Sequence, residues 1–150
     1  MDDPFELRRF VDVQNADGTY LRALDELRAG RKQTHWMWFV FPQLAGLGTS
    51  PTAQRFALSG LAEARAYLAH GELSARLAAC TQALLKLDAG DPVAVLGPVD
   101  AAKLRSSMTL FTLAAPGDRS FRRVLEQYFD GARDPATLAL LAPDTRAARD

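Results

Sequence analysis

THWMWFVFPQ, residues 34–43, holds both tryptophans of the chain, two of its eight phenylalanines and one of its two histidines within ten residues. From His35 to Phe41 it is apolar on both faces, so periodicity alone allows a buried strand or a buried helical turn. The flanks favour the turn. Thr34 is a residue type that caps helix N-termini, and Pro42 ends a helix at or before the residue preceding it. We therefore read a short helix, followed by a loop, QLAGLGTSP, with two glycines.

Outward from this segment every apolar run has helical spacing. Leu7, Phe10 and Val11 share a face, as do Tyr20, Leu24 and Leu27, then Leu73, Leu77, Cys80, Leu84 and Leu87. Leu104, Met108 and Phe111 follow, then Phe121, Val124, Leu125 and Tyr128. Four dipeptides, Asp3-Pro4, Ser50-Pro51, Asp91-Pro92 and Asp134-Pro135, combine a side-chain acceptor at the cap with proline at the first helical position, where its missing N–H costs nothing. Glu6, three residues after Asp3, suits a variant of the capping box. Gly30 fits the residue after the second helix, and Gly71 and Gly90 break the middle region. His70, after YLA, reads as the end of a helix. No useful length alternates with period two, so no sheet is expected.

The composition supports one packed domain. A chain of 150 residues can build a real core but is short for two. Hydrophobic residues make up 48% and charged residues 24%, values typical of globular domains. With 18 basic and 18 acidic side chains there is no general attraction to nucleic acid or anionic membrane. One cysteine, Cys80, cannot form an intramolecular disulfide or a Cys-rich zinc site, which fits a reducing compartment. The N-terminus has no apolar signal region, and no apolar run approaches the roughly 18 residues needed to cross a bilayer.

Several polar residues occupy positions where structure and ligand binding compete as explanations. Gln14 lies seven residues after Leu7 on an apolar stripe, so its amide must find partners inside the protein or on a ligand. Arg28, Arg31 and Lys32 surround a helix C-terminus, where the dipole favours cations; they also precede a helix start, which attracts anions. In KLRSSMTLF, Ser106 and Ser107 either bond carbonyls one turn back or, with Arg105 as a bidentate clamp, wall a polar pocket. His35 is either a packing residue or an acid–base group. Two distant histidines give no zinc motif, and G-x-S-x-G, Walker and G-x-G-x-x-G patterns are absent.

DPFELRRFVDVQ, ELRAGRKQTHWMWFVFPQLAGLGTSP, AEARAYL, KLRSSMTLF and FDGARDPATLALL together resemble the bacterial domain-of-unknown-function family 1810, over about residues 3–142. The resemblance implies an all-helical single domain and brings no established reaction. Members are sometimes labelled calpastatin, a function at odds with a composition that specifies a packed core. A looser similarity, in FVFPQ, RSSMTLF, an F-x-x-V-L element and a closing T-L-x-x-L, is to the NADAR superfamily and implies ADP-ribose or N-glycoside chemistry. That superfamily's S-E-H-x-x-Q motif has no counterpart here, where Ala53-Gln54-Arg55-Phe56 stands.

The sequence thus predicts an all-α, compact bundle of about seven helices over residues 1–142, with a flexible tail at 143–150. The expected core includes Phe10, Leu24, Leu27, Trp36, Phe39, Leu77, Leu84, Met108, Phe111 and Leu125. A cytoplasmic protein is expected, with no metal, no cofactor, no membrane association and no specified oligomeric state. The expected ligand is a phosphorylated nucleotide such as ADP-ribose, held where the aromatic segment meets the serine-bearing helix. Gln14, Lys32, Trp38, Gln43, Arg105, Ser106 and Ser107 are the candidate binding residues. His35 and Asp134 are the candidate catalytic residues if an N-glycosidic bond is hydrolysed; the alternative is a non-catalytic ligand-binding or protein-interaction module.

Overall fold

The computed structural model describes the backbone of residues 2–149 and the side chains of residues 2–142. The expected tail, 143–150, lies outside the residues whose side chains are described. In chain order the helices are α1 (Arg8–Asn15), a 3-10 turn (Ala16–Gly18), α2 (Thr19–Ala29), α3 (Met37–Val40), α4 (Pro51–Arg55), α5 (Leu61–Ala69), α6 (Gly71–Lys86), α7 (Pro92–Leu96), α8 (Pro98–Ala114), α9 (Ser120–Phe129) and α10 (Pro135–Arg149). Seven have eight residues or more, α1, α2, α5, α6, α8, α9 and α10; α3, α4 and α7 are short and lie where the sequence points to helices, at the aromatic segment and after Ser50 and Asp91, and with the 3-10 turn they take the described total past the expected seven. Among the described residues there is no strand, only one parallel bridge between Leu44 and Leu58.

The proline-marked starts behave as local chemistry dictates, with one displacement. Ser50 accepts the Ala53 N–H at 3.1 Å, and Asp91 accepts the N–H groups of Val93 and Ala94. Asp134 Oδ2 accepts the Thr137 N–H at 3.0 Å. Asp3, by contrast, accepts from Leu7 and Arg8, so α1 begins four residues later than expected. The capping box does not form, because Glu6 takes a left-handed φ of 52°. Those two backbone bonds still hold the Asp3 carboxyl below its ordinary range.

Gly30, with φ of 75°, closes α2 by donating to Leu27 while Arg31 donates to Glu26, the left-handed cap that favours glycine. His70 is both the end of α5 and the cap of α6, its Nδ1 accepting from the Leu73 N–H at 3.3 Å. Thr34 is not the cap of α3. That helix begins at Met37 after Trp36, whose φ of −149° and ψ of 2° are neither helical nor extended, and no side chain caps it.

α8 is the axis. It packs on α5, α7, α9 and α10, and α6 joins α2, α5 and α9 around it. Enclosed on nearly all sides, it buries Leu104, Met108, Leu110 and Phe111 together with Ser106, Ser107, Thr109 and Thr112. Three of these hydroxyls donate one turn back, to Ala102, Arg105 and Met108, so burial leaves them satisfied. Nine of the ten expected core residues are buried; Phe39 is half-buried and packs against the core from its edge, on Phe56 at 5.3 Å between ring centroids.

The loop after the aromatic segment passes close to it. A Cβ at Gly48 would stand 2.5 Å from the Ala53 Cβ and 3.3 Å from the Trp38 ring, whereas one at Gly71, in the first turn of α6, would meet nothing within 4 Å. Gly48→Ala is expected to lose about 1–3 kcal/mol through overpacking. Gly71→Ala should be neutral or gain about 0.4–1 kcal/mol by restricting the unfolded chain. Urea unfolding of the two variants, with m-values compared, checks the contrast.

Candidate functional site

Glu26, near the end of α2, organises the aromatic segment. Its Oε1 accepts the N–H groups of Gln33 and Thr34 at 2.6 and 2.9 Å and the Trp36 indole N–H at 3.0 Å. Its Oε2 accepts the Thr34 hydroxyl at 2.6 Å. Burial disfavours the charged carboxylate, but these four donors outweigh it and hold the carboxyl at about 2. Trp36 is thereby turned into the core, 1% exposed.

Beside this hub the segment meets the first turns of α8. Lys32 Nζ lies 2.9 Å from Asp100 Oδ2, donates to the Thr34 carbonyl at 2.6 Å, and stands over the Trp36 ring at 5.0 Å. Lys103 Nζ lies 3.3 Å from Asp100 Oδ1 and 3.7 Å from the centre of the Trp38 ring. The three charged side chains, Lys32, Asp100 and Lys103, are 8%, 18% and 17% exposed, so two ammonium groups share one carboxylate in a partly desolvated place. The three side chains sum to one positive charge, next to the half-buried Trp38.

The aromatic segment and α8 do come together, through Lys103 and Asp100, two residues that sequence reasoning did not single out. The i,i+3 pairing of Asp100 with Lys103 in VDAAK was their visible signal. Arg105 is engaged elsewhere, its Nε and NH2 donating to the carbonyls of Ala132 and Arg133 at 3.0 and 2.8 Å and tying α8 to the loop before α10. Ser106 donates to Asp134 Oδ2 at 3.2 Å, and the same oxygen also accepts the Thr137 hydroxyl and N–H. Asp134 thus caps α10, with three donors on its Oδ2. Ser107 Oγ is buried without a partner among the described residues. His35 is exposed; Gln43 is half-buried, and its carbonyl accepts the Leu58 N–H.

Gln14 is 2% exposed and fully engaged. Its Nε2 donates to the Phe39 carbonyl at 2.6 Å and, more weakly, to the Tyr67 hydroxyl at 3.4 Å, while Oε1 accepts from Arg76 NH1 at 3.2 Å. It also lines a cleft of about 240 Å³ with Asn15, Gly18, Tyr20, Leu21 and Arg76. Other clefts are an open trough of about 510 Å³ between α6 and α9, one of about 220 Å³ between α2 and α6, and a smaller one of about 140 Å³ beside Thr81 and Phe121. Of the expected site residues only Gln14 lines any of these four. Among the described residues no three His, Cys, Asp or Glu side chains gather as metal ligands, and no helix is long and apolar enough to cross a membrane.

A family model described as a protein of unknown function, DUF1810, matches residues 4–141. The chain belongs to the DUF1810 family. The crystal structure of the conserved hypothetical protein Rv1873 from Mycobacterium tuberculosis is similar, with a TM-score of 0.90 and 48% sequence identity over 93% of this chain and 99% of that one. No curated protein matches. The comparisons therefore support the first of the two sequence resemblances, and the helical fold of the DUF1810 family, without adding a reaction.

The Glu26 hub makes a pH-dependent contribution whose sign is fixed. A carboxyl lowered from 4.5 to about 2 on folding stabilises the native chain above pH 4.5, and that contribution disappears as pH falls towards 2. Glu26→Gln is expected to cost about 2 kcal/mol at neutral pH, because one amide oxygen replaces two charged acceptors. It should also flatten the decline between those pH values. Urea unfolding from neutral to acid pH measures both; a variant with the parent's acid slope would show that the hub does not anchor the segment.

Proposed function

We propose that the protein binds a small phosphorylated ligand of the nucleotide class where the aromatic segment meets α8. The observation that carries this reading is the Lys32–Asp100–Lys103 cluster, with Asp100 2.9 and 3.3 Å from the two ammonium groups and Lys103 3.7 Å from the centre of the Trp38 ring. A phosphate supplies the second negative charge that the two lysines lack, and partial burial keeps the attraction from being screened as it would be at the surface. Drawing Lys103 towards phosphate uncovers the Trp38 face for a base, which every nucleotide possesses. Lys32 and Trp38 are then the ligand-binding residues of the expected set, joined by Asp100 and Lys103.

The non-catalytic form of this reading has the stronger support. Cleaving an N-glycosidic bond requires an acid–base group held at the reacting carbon. Asp134 already accepts three hydrogen bonds as a helix cap. His35 lies within the aromatic segment but is exposed. ADP-ribose is accordingly expected to be recovered intact after incubation with the protein.

The test is a titration with ADP-ribose, AMP and NAD, read by tryptophan fluorescence and by melting temperature. Binding to the native state alone contributes about 2.7 kcal/mol at a hundred times Kd, and stacking on Trp38 should quench its emission. Lys103→Ala is expected to weaken binding by about tenfold or more, the cost of a charge-assisted phosphate contact. Trp38→Leu should remove the quenching. Arg105→Ala should leave affinity unchanged, since its guanidinium is spent on the 132–133 carbonyls. Nucleotides that change neither signal would refute the proposal.

A further inference from the structure

α8 carries four buried hydroxyls, and three of them are satisfied by their own helix: Ser106, Thr109 and Thr112 donate to the carbonyls of Ala102, Arg105 and Met108. Ser107 is the exception. It is 0% exposed, yet its Oγ has no hydrogen-bond partner among the described residues, so it does not bond even the Lys103 carbonyl one turn back. A buried hydroxyl in that position has given up water without replacement, which costs stability that an alanine would not. Departures of this kind from polar satisfaction gather where function, rather than folding, selects the residue.

Helix geometry sets this hydroxyl beside the Lys32–Asp100–Lys103 cluster. Ser107 follows Lys103 by four residues and Asp100 by seven, so the three share one face of α8. The Cβ atoms of Lys103 and Ser107 are then about 5–6 Å apart. Helical Cα–Cβ bonds tilt towards the N-terminus, which directs Ser107 to the turn that bears Lys103 and away from Phe111, one turn further on. Phe111 belongs to the next part of the interior, against Tyr67 of α5 at 5.6 Å between ring centroids. Along this face the charged side chains are between 8% and 18% exposed, and the one neutral hydroxyl beyond them is fully enclosed.

That gradient distinguishes the two ends of a nucleotide. The phosphate belongs with the two ammonium groups, nearer the solvent. An enclosed hydroxyl suits a neutral partner, because carrying a dianion so far from water would cost more than one bond returns. A base lying on the Trp38 ring has such a partner in the ring nitrogens along its edge. We infer that Ser107 is the specificity-determining residue of the nucleotide site, its hydroxyl donating to a ring nitrogen of the base once Lys103 has left the Trp38 face. The inference rests on the nucleotide reading above and adds to it which end of the ligand points inward.

The experiment compares the full chain with its Ser107→Ala and Ser106→Ala variants, by urea unfolding without ligand and by calorimetric titration with AMP and with ribose 5-phosphate, which lacks the base. Ser107→Ala should raise the urea midpoint of the free protein, because it removes a buried hydroxyl that bonds nothing. Ser106→Ala should lower it, because bonds to the Ala102 carbonyl and to Asp134 are lost. Ser107→Ala should also bind AMP about tenfold more weakly while binding ribose 5-phosphate as the parent does. A gain in stability joined to a loss of base-dependent affinity is a combination that a packing role does not produce. An unchanged or lower midpoint for Ser107→Ala, an unchanged AMP affinity, or equal losses for the two compounds would each overturn the inference. A parent chain that binds the two compounds equally sinks this inference alone, whereas one that binds neither refutes the nucleotide reading and this inference with it.

Discussion

The Glu26 carboxylate is the constraint on which the arrangement of the aromatic segment rests. The chain leaves α2 at Gly30 and must then place two tryptophans close together, one in the core and one at its margin. Local capping cannot do this, because α3 is a single turn with no side chain at its N-terminus. Glu26 instead reaches forward and takes two backbone N–H groups, a hydroxyl and an indole N–H. Four charge-assisted bonds to a preformed helix end fix the path of residues 33–36. Trp36 then faces inward, Trp38 faces the start of α8, and Lys32 is left within reach of Asp100.

A similar exchange of local for distant partners holds the N-terminal helices. Arg9 pairs with Glu63 at 2.8 Å and also donates to the carbonyls of Phe5, Glu6, Arg55 and Ala57. Glu63, 4% exposed, uses its other oxygen to accept the Ser59 N–H ahead of α5. A buried carboxylate is tolerable only when its charge and lone pairs are matched in this way. At the far side of the bundle, Gln127 donates to the carbonyls of Leu84, Leu87 and Ala89, and the Tyr128 hydroxyl to that of Leu84. The open end of α6 is closed by α9 rather than by a glycine.

What could be read from the sequence was what neighbouring residues decide. Ser50, Asp91 and Asp134 cap the helices that follow them, because acceptor and N–H groups are separated by two or three residues. The stripe Leu73, Leu77, Cys80 and Leu84 is buried as its spacing requires. The failures have distant causes. Thr34 has the chemistry of a cap, yet its hydroxyl and N–H are both claimed by Glu26, eight residues earlier. Asp3 finds its N–H groups only after a left-handed turn at Glu6. Arg105 looks like a free clamp until the carbonyls at 132 and 133 are brought to it by α10, and Phe39 is left at the edge because Phe41 and Trp36 fill the interior. The meeting of the aromatic segment with α8 was legible, but not the residues that make it, since Lys103 and Asp100 look like an ordinary exposed helix pair.

Once the bundle is assembled, the cations sort by what neutralises them. Arg105 is held by two carbonyl oxygens, with no carboxylate beside it among the ion pairs of the described residues. Arg9 has one carboxylate and four carbonyls and is complete. Arg76 has its charge met by Glu72 and also donates to Gln14 and Asn15. Lys32 and Lys103 share one acid: Lys32 is held by a carbonyl and the Asp100 carboxylate, and Lys103 by the same carboxylate and a ring. A composition with equal numbers of acids and bases hides this unevenness, which arises only when the bundle sets two lysines on one acid.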